Sequence, residues 1–221
     1  AENDPVNYSW KLDGLTVSTS ASYFYSPTGS SIGNHIIQVI VCDDVPANDC
    51  DTVTWTIEVS ENMLRVSLKI YLEGPFGTTE MSTVLNQQNL LPLNQPYNVN
   101  PWNYPGTEQV SAIPGIEITD WVLVELRDAV DAISATNSTI IDRKAAFVRR
   151  DGTVIGIDGS DILSFDTEFT NQLFVVIRHR DHLAVMSSAP LVQVGGIYSY
   201  DFTNAMSKAY GGASGFREIA L

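Results

Sequence analysis

Apolar residues in this chain recur at every second position over short runs and almost nowhere at helical spacing, which commits it to β-structure. In Ile36–Val41, Ile36, Gln38 and Ile40 point one way and Ile37, Val39 and Val41 the other. The same reading gives strands at Asn34–Val41, Thr52–Val59, Leu64–Leu72, Trp121–Arg127, Ala145–Arg150, Thr153–Ile157, Leu173–Arg178 and Ile197–Phe202. Asp13-Gly14, Asp151-Gly152 and Asp158-Gly159 are hairpin-type turn signals. One short helix is expected around Glu80–Gln88, with Met81, Val84 and Leu85 on one face and Asn89 as its stop. Five prolines between Pro92 and Pro114 mark an extended loop packed by Tyr97, Trp102 and Tyr104. With 221 residues, the chain holds one large β domain or two smaller ones.

Composition excludes several function classes. With 44% hydrophobic and 10% aromatic residues the chain can form packed cores, so its acidity does not signal disorder. Its 26 acidic and 12 basic side chains give a net charge of −14, which repels nucleic acid and anionic lipid. No apolar run approaches the ~20 residues that span a bilayer as a helix. The acidity is uneven. Residues 1–62 carry nine acids and one base, Lys11; residues 63–221 carry seventeen acids and eleven bases. The shift falls at Ser60-Glu61-Asn62, between two strands, and predicts two domains, 1–62 and 63–221, joined by a short connection.

Cys42 and Cys50 flank a loop rich in Asp between two strands, where the ends of a hairpin reach disulfide separation. Two free thiols or half of a metal site are the alternatives; no second Cys pair exists, and His35 is one strand away. A disulfide places the protein outside the reducing cytosol. The neighbouring Asp43, Asp44, Asp49 and Asp51 are candidate calcium ligands, although their spacing matches no EF-hand and solvated turn carboxylates are the plainer reading.

Three stretches of the first domain carry a family resemblance: Tyr8-Ser9-Trp10-Lys11-Leu12-Asp13-Gly14, Tyr23-Phe24-Tyr25, and Gly33 through Val41. They resemble the second half of a PKD/immunoglobulin-like repeat, with a Trp strand, an aromatic-rich strand, and a Gly before an alternating strand. Val41 through Thr54 is similar to the cysteine-bearing version in secreted Bacteroidetes proteins. Such a sandwich needs about seven strands in ~100 residues. Only four or five are legible here. The missing strands are expected before Ala1 in a longer polypeptide, or from another chain by β-augmentation.

The second domain resembles a module near the C-termini of long secreted and cell-surface Bacteroidetes proteins. The resemblance rests on Leu72-Glu73-Gly74-Pro75-Phe76, Met81–Pro96, Asp120 through Arg127, Arg149-Arg150-Asp151-Gly152, and Val175 through Ser187. The family's usual His-Arg-Asn-His-Leu stands here as His179-Arg180-Asp181-His182-Leu183. It transfers no catalytic residue. The strand order is also similar to the transthyretin-like or carboxypeptidase-regulatory sandwich.

The sharpest chemical cluster is Arg178-His179-Arg180-Asp181-His182. On a continuous strand the i, i+3 spacing puts His179 and His182 on opposite faces, which defeats a shared metal unless a bulge intervenes. The plainer reading pairs these charges with Glu125 or Asp120 of a neighbouring strand. Turns account for Asp151, Asp158 and Asp161, and nothing places a second carboxylate opposite Glu73. Tyr97, Trp102 and Tyr104 are a candidate glycan-stacking platform or, alternatively, a cap on the open end of the sandwich. Asp51-Thr52-Val53 resembles a short O-glycosylation acceptor.

The fold expected is therefore all-β: two β-sandwich domains in tandem, immunoglobulin/PKD-like and incomplete at its N-terminus, then transthyretin-like. The function expected is that of a secreted or cell-surface, non-catalytic structural or adhesive protein. Its partners would be other copies of itself, neighbouring domains or cell-surface glycans, with self-assembly into a fibre or surface layer. Calcium is the one cofactor considered. The alternative is a carbohydrate-binding accessory region of a secreted hydrolase.

Overall fold

The computed structural model describes residues 6–27, 32–43, 49–59 and 63–212. The chain is all-β and divides into two compact units, Ala1–Asn62 and Met63–Leu221.

Unit 1 is a single four-stranded antiparallel sheet of β1 (Val6–Leu12), β2 (Leu15–Ser18), β3 (Gly33–Asp43) and β4 (Cys50–Val59), ordered β2-β1-β3-β4. Asp13 and Gly14 both take positive φ in the β1–β2 turn, as a tight hairpin requires. The Asp13 carboxylate accepts from the Ile36 amide at 2.9 Å and lies 2.7 Å from His35 Nδ1, tying that turn to β3. Cys42 and Cys50 face each other in the β3–β4 ladder and form a disulfide. Tyr23-Phe24-Tyr25 is not a strand. Tyr23 instead packs against Trp10 with ring centroids 6.0 Å apart, and Phe24 is 86% exposed.

Unit 2 is a β-sandwich. Its first sheet is β11-β10-β6-β7-β8, built from β6 (Ile118–Ala129), β7 (Ile140–Arg149), β8 (Val154–Ile155), β10 (Gln172–Arg178) and β11 (Val185–Met186). The second is β12-β13-β5-β9, built from β5 (Leu64–Lys69), β9 (Leu163–Phe165), β12 (Val192–Val194) and β13 (Ile197–Asp201), with β13 parallel to β5. Alternation fixes the core. Val122, Val124 and Leu126 of β6, with Leu173, Val175 and Ile177 of β10, pack onto Val66 and Leu68 of β5 and Phe165 of β9.

The far side of the five-stranded sheet is covered too. Trp121, Leu123 and Phe147 lie beneath Leu91, Tyr97 and Tyr104 of the proline-rich segment, making a third layer. A loop survives this burial because its polar groups are paired: Tyr97 Oη donates to Trp121 O at 2.8 Å, Trp121 Nε1 to Pro92 O at 2.8 Å, and Gln95 Nε2 to Gly106 O at 2.8 Å.

Two local readings change. The expected helix shrinks to α1 (Val84–Gln87), closed by Asn89 in the left-handed region, because Met81 is buried within the main core. Asp158-Gly159 turns the chain as expected, but it carries it from β8 in one sheet to β9 in the other and forms no hairpin.

Phe147 is fully buried, 3.9 Å from the Trp121 ring centroid. Phe147→Ala should cost unit 2 about 3–5 kcal/mol, read as a lower urea midpoint at unchanged m-value. A loss under about 1 kcal/mol would contradict the third layer.

Candidate functional site

The densest polar constellation stands where β10 ends. The strand stops at Arg178 and the chain turns, so His179 and His182 do not lie on opposite faces as a continuous strand would require. Their ring centroids are 4.6 Å apart. His179 Nε2 lies 3.2 Å from Asp120 Oδ2, and its Nδ1 accepts the Asp181 amide at 3.1 Å. His182 Nδ1 is 2.7 Å from that same His179 Nδ1, while His182 Nε2 accepts the Gly74 amide at 3.2 Å. One proton assignment gives every contact a donor, with the single lone pair of His179 Nδ1 shared between the Asp181 amide and His182. His179 carries its proton on Nε2 and donates to Asp120; His182 carries its proton on Nδ1 and donates to His179.

Both rings are then neutral, and both lone pairs already face N–H donors. The arrangement is a relay that staples β10's exit to β6 and to the Gly74 turn. Arg180 completes it by donating from Nη2 to both Asp120 oxygens at 2.8 and 2.9 Å. Burial alone would raise the Asp120 carboxyl; His179, the Trp121 amide and Arg180 outweigh it and hold the group below the usual aspartate range. Burial, reinforced by His179, pushes the His182 imidazole below the ordinary histidine value.

A second polar row lies on the outer face of the same sheet. Glu125, 1% exposed, accepts from Arg127 Nε at 2.8 Å and from Arg178 Nε at 3.2 Å. Arg127 also donates to Ala135 O at 2.6 Å and Asn137 Oδ1 at 2.8 Å. The expected pairing of the Arg178–His182 charges with Glu125 and Asp120 is thus what the chain makes. Arg127 and Asn137 were not legible as partners. The i, i+2 spacing of Glu125 and Arg127 put them on one face, but nothing local marked that face as covered.

The aromatic platform changes most. Tyr97 is fully buried and Tyr104 nearly so, and Trp102 stands edge-on to Tyr97 at 5.3 Å. Tyr97 and Tyr104 cap the sheet, and Trp102 packs half-buried against them. At the hairpin tip of unit 1, the Asp49 amide donates to Asp43 Oδ1 at 3.2 Å, and Asp51 lies in β4. Asp44 lies outside the described residues. No trio of His, Cys, Asp or Glu among the described residues is placed to hold a metal ion. Asp161 pairs with Arg149.

Unit 1 offers a different kind of site. The ladder registers put Tyr8, Trp10 and Leu12 of β1, Ile37, Val39 and Val41 of β3, and Val53, Trp55 and Ile57 of β4 on one face. Among the described residues of the unit only Val39 is buried. Val53 and Trp55, on the edge strand, are 48% and 44% exposed. The opposite face carries Lys11, Gln38, Thr52, Thr54 and Thr56. Compared with protein-family models, curated proteins and solved structures, the chain finds no match.

Two outcomes follow. A His182 depressed in the folded state stabilises fully above about pH 6.5, and that contribution is lost as pH falls from there toward its folded value. The urea midpoint of unit 2 should therefore drop between about pH 6.5 and 5, and drop less in His182→Asn; equal slopes would contradict the relay. Asp120→Asn, which strips Arg180 and His179 of their shared charge, should cost about 3 kcal/mol at pH 7.

Proposed function

We propose that this chain belongs to an extracellular, non-catalytic structural or adhesive protein of the cell surface, and that unit 1 works by pairing with a second copy of itself. One observation carries the reading: β4 is a ten-residue edge strand with an apolar face and none of the usual devices against pairing. It contains no Lys or Pro, its ladder with β3 has no bulge, and its two charges, Asp51 and Glu58, stand near its ends.

The strand is also self-complementary. Read antiparallel to itself about Trp55, it sets Trp55 on Trp55, Val53 on Ile57, Thr54 on Thr56 and Thr52 on Glu58. Apolar side chains meet at the centre of one face, with Asp51 set on Val59 toward its ends; hydroxyls meet on the other, with Glu58 toward its ends, and no two acids oppose. The acidic hairpin tips, with Asp43 and Asp49, fall at opposite ends of the eight-stranded sheet. In a unit with nine acids and one base, a parallel pairing would crowd them together. Such a contact is isologous and closes at two copies, so it cross-links chains; growth into a fibre needs a further, different contact.

The disulfide is compatible with secretion. Among the described residues no helix is long and apolar enough to cross a membrane. The non-catalytic reading is supported by the His relay, whose lone pairs are spent on structure. The PKD-like and transthyretin-like assignments rest on the sequence resemblance, supported by an all-β architecture of one open sheet and one sandwich.

The register gives a two-sided test by sedimentation velocity. Thr54→Lys/Thr56→Lys and Thr54→Glu/Thr56→Glu, both at exposed positions, should each be monomeric where wild type is dimeric. Mixing the two should restore a dimer, since each Lys then faces a Glu. A wild type that stays monomeric at 100-fold the concentration of a routine run, or a Lys variant that still dimerises, would overturn the proposal.

A further inference from the structure

A cleft of about 680 Å³ opens on the outer face of the five-stranded sheet of unit 2, between the Ala132–Ser138 segment and β11. Its lining departs from the character of the chain. The protein carries 26 acidic residues against 12 basic ones, yet this cleft is lined by Arg127 and Arg178 and by no carboxylate. The Glu125 carboxylate behind the two guanidiniums is 1% exposed and is shared between them, so one negative charge faces two positive ones.

The hydrogen bonds show where the excess charge points. Arg127 is largely spent: its Nε and Nη2 go to Glu125, Nη1 to Ala135 O, and Nη2 also to Asn137 Oδ1. Arg178 uses Nε and Nη2 on Glu125, with Nη2 reaching Asn137 Oδ1 at 3.5 Å. Its Nη1 makes no hydrogen bond among the described residues, and the side chain is 26% exposed in the cleft wall. Because Asn137 spends its oxygen on the arginines, its amide N–H groups are the polar edge left over. Thr136 and Ser138 add hydroxyls, which bond each other at 2.8 Å. The rest of the wall is apolar, with Ile133 78% and Tyr210 44% exposed.

We infer that this cleft is a binding site for a carboxylate-bearing sugar of the uronic-acid class. The guanidinium of Arg178 takes the carboxylate through Nη1, the donor that its bonds to Glu125 and Asn137 leave over, as a charge-assisted hydrogen bond. The Thr136–Asn137–Ser138 rim faces the hydroxyls, and the exposed Tyr210 ring covers an apolar sugar face. A cationic depression on a unit of net negative charge also discriminates, since anions are favoured only where the local charge reverses. The inference stands apart from the pairing of unit 1 and does not depend on it.

The test titrates the full chain with glucuronate, glucose and acetate, following amide NMR shifts at residues 133–138. Glucuronate should saturate these shifts; glucose and acetate should each bind at least 10-fold more weakly. Arg178→Gln should weaken glucuronate at least 10-fold. Because Arg178 also braces Glu125, Ile133→Asp serves as a second variant: it sets a carboxylate on an exposed rim position and should weaken glucuronate comparably. Val194→Asp, equally exposed on the other sheet, should leave binding unchanged. Equal binding of glucose or acetate, an unmoved Ile133→Asp, or no saturable shift with glucuronate overturns the assignment.

Discussion

Everything in unit 2 depends on burying β6 from both sides. Of its twelve residues only Asp128 is more than slightly exposed, so every alternate position needs a different covering partner. Toward the sandwich core the solution is simple: Val122, Val124 and Leu126 meet the second sheet. On the outer face three solutions stand side by side. The proline-rich segment covers Trp121 and Leu123, and the Ala135–Asn137 backbone and amide cover Arg127. The end of β10 supplies Arg178 for Glu125. Asp120, paired with Val148 just after the register shift at Thr119, is met by His179 and Arg180 just beyond β10. Buried charges without such partners would cost several kcal/mol each, which is why the side chains that look most catalytic are the most tightly paired.

Unit 1 follows the same pleat with a different outcome. Its strands alternate as cleanly as β6 does, but the described residues cover only part of one face, chiefly through Tyr23 on Trp10. A four-stranded layer with one buried residue has little hydrophobic stabilisation of its own. Local staples take over: the disulfide at one end, the Asp13–Ile36 bond at the other, and Trp10 stacked on Trp55 at 6.2 Å across β3. Those staples fix the sheet, and among the described residues no further strand pairs with β4 on the side away from β3. The two units therefore divide their work. Unit 2 is closed and carries a cationic cleft; unit 1 is open and carries a template for another strand.

Much of this was legible in the sequence because strand periodicity is a local signal. All eight strands expected from alternation form, and the proline-rich segment is the packed loop that Tyr97, Trp102 and Tyr104 implied. Strands of two to four residues, such as β2, β11 and β12, are too short to show a period, and β8 forms over only Val154–Ile155 of the expected Thr153–Ile157. The His179–His182 contact was illegible for another reason. It depends on β10 ending at Arg178, which is set by where β6 and β11 stop pairing with it and not by its own residues. The burial of Tyr97 and Tyr104 was illegible likewise, since exposed and buried tyrosines look alike until the layer beneath them is known. The cationic cleft joins residues from five separate stretches of chain, and no spacing announces it.

The central claim, that β4 is an edge built to pair with itself, is tested most directly by amide hydrogen exchange along Cys50–Val59 at rising protein concentration. The amides of β4 that point away from β3 should exchange rapidly in dilute solution. They should become protected as concentration increases, while those bonded to β3 stay unchanged. Outward amides that exchange at the same rate at every concentration would contradict the account.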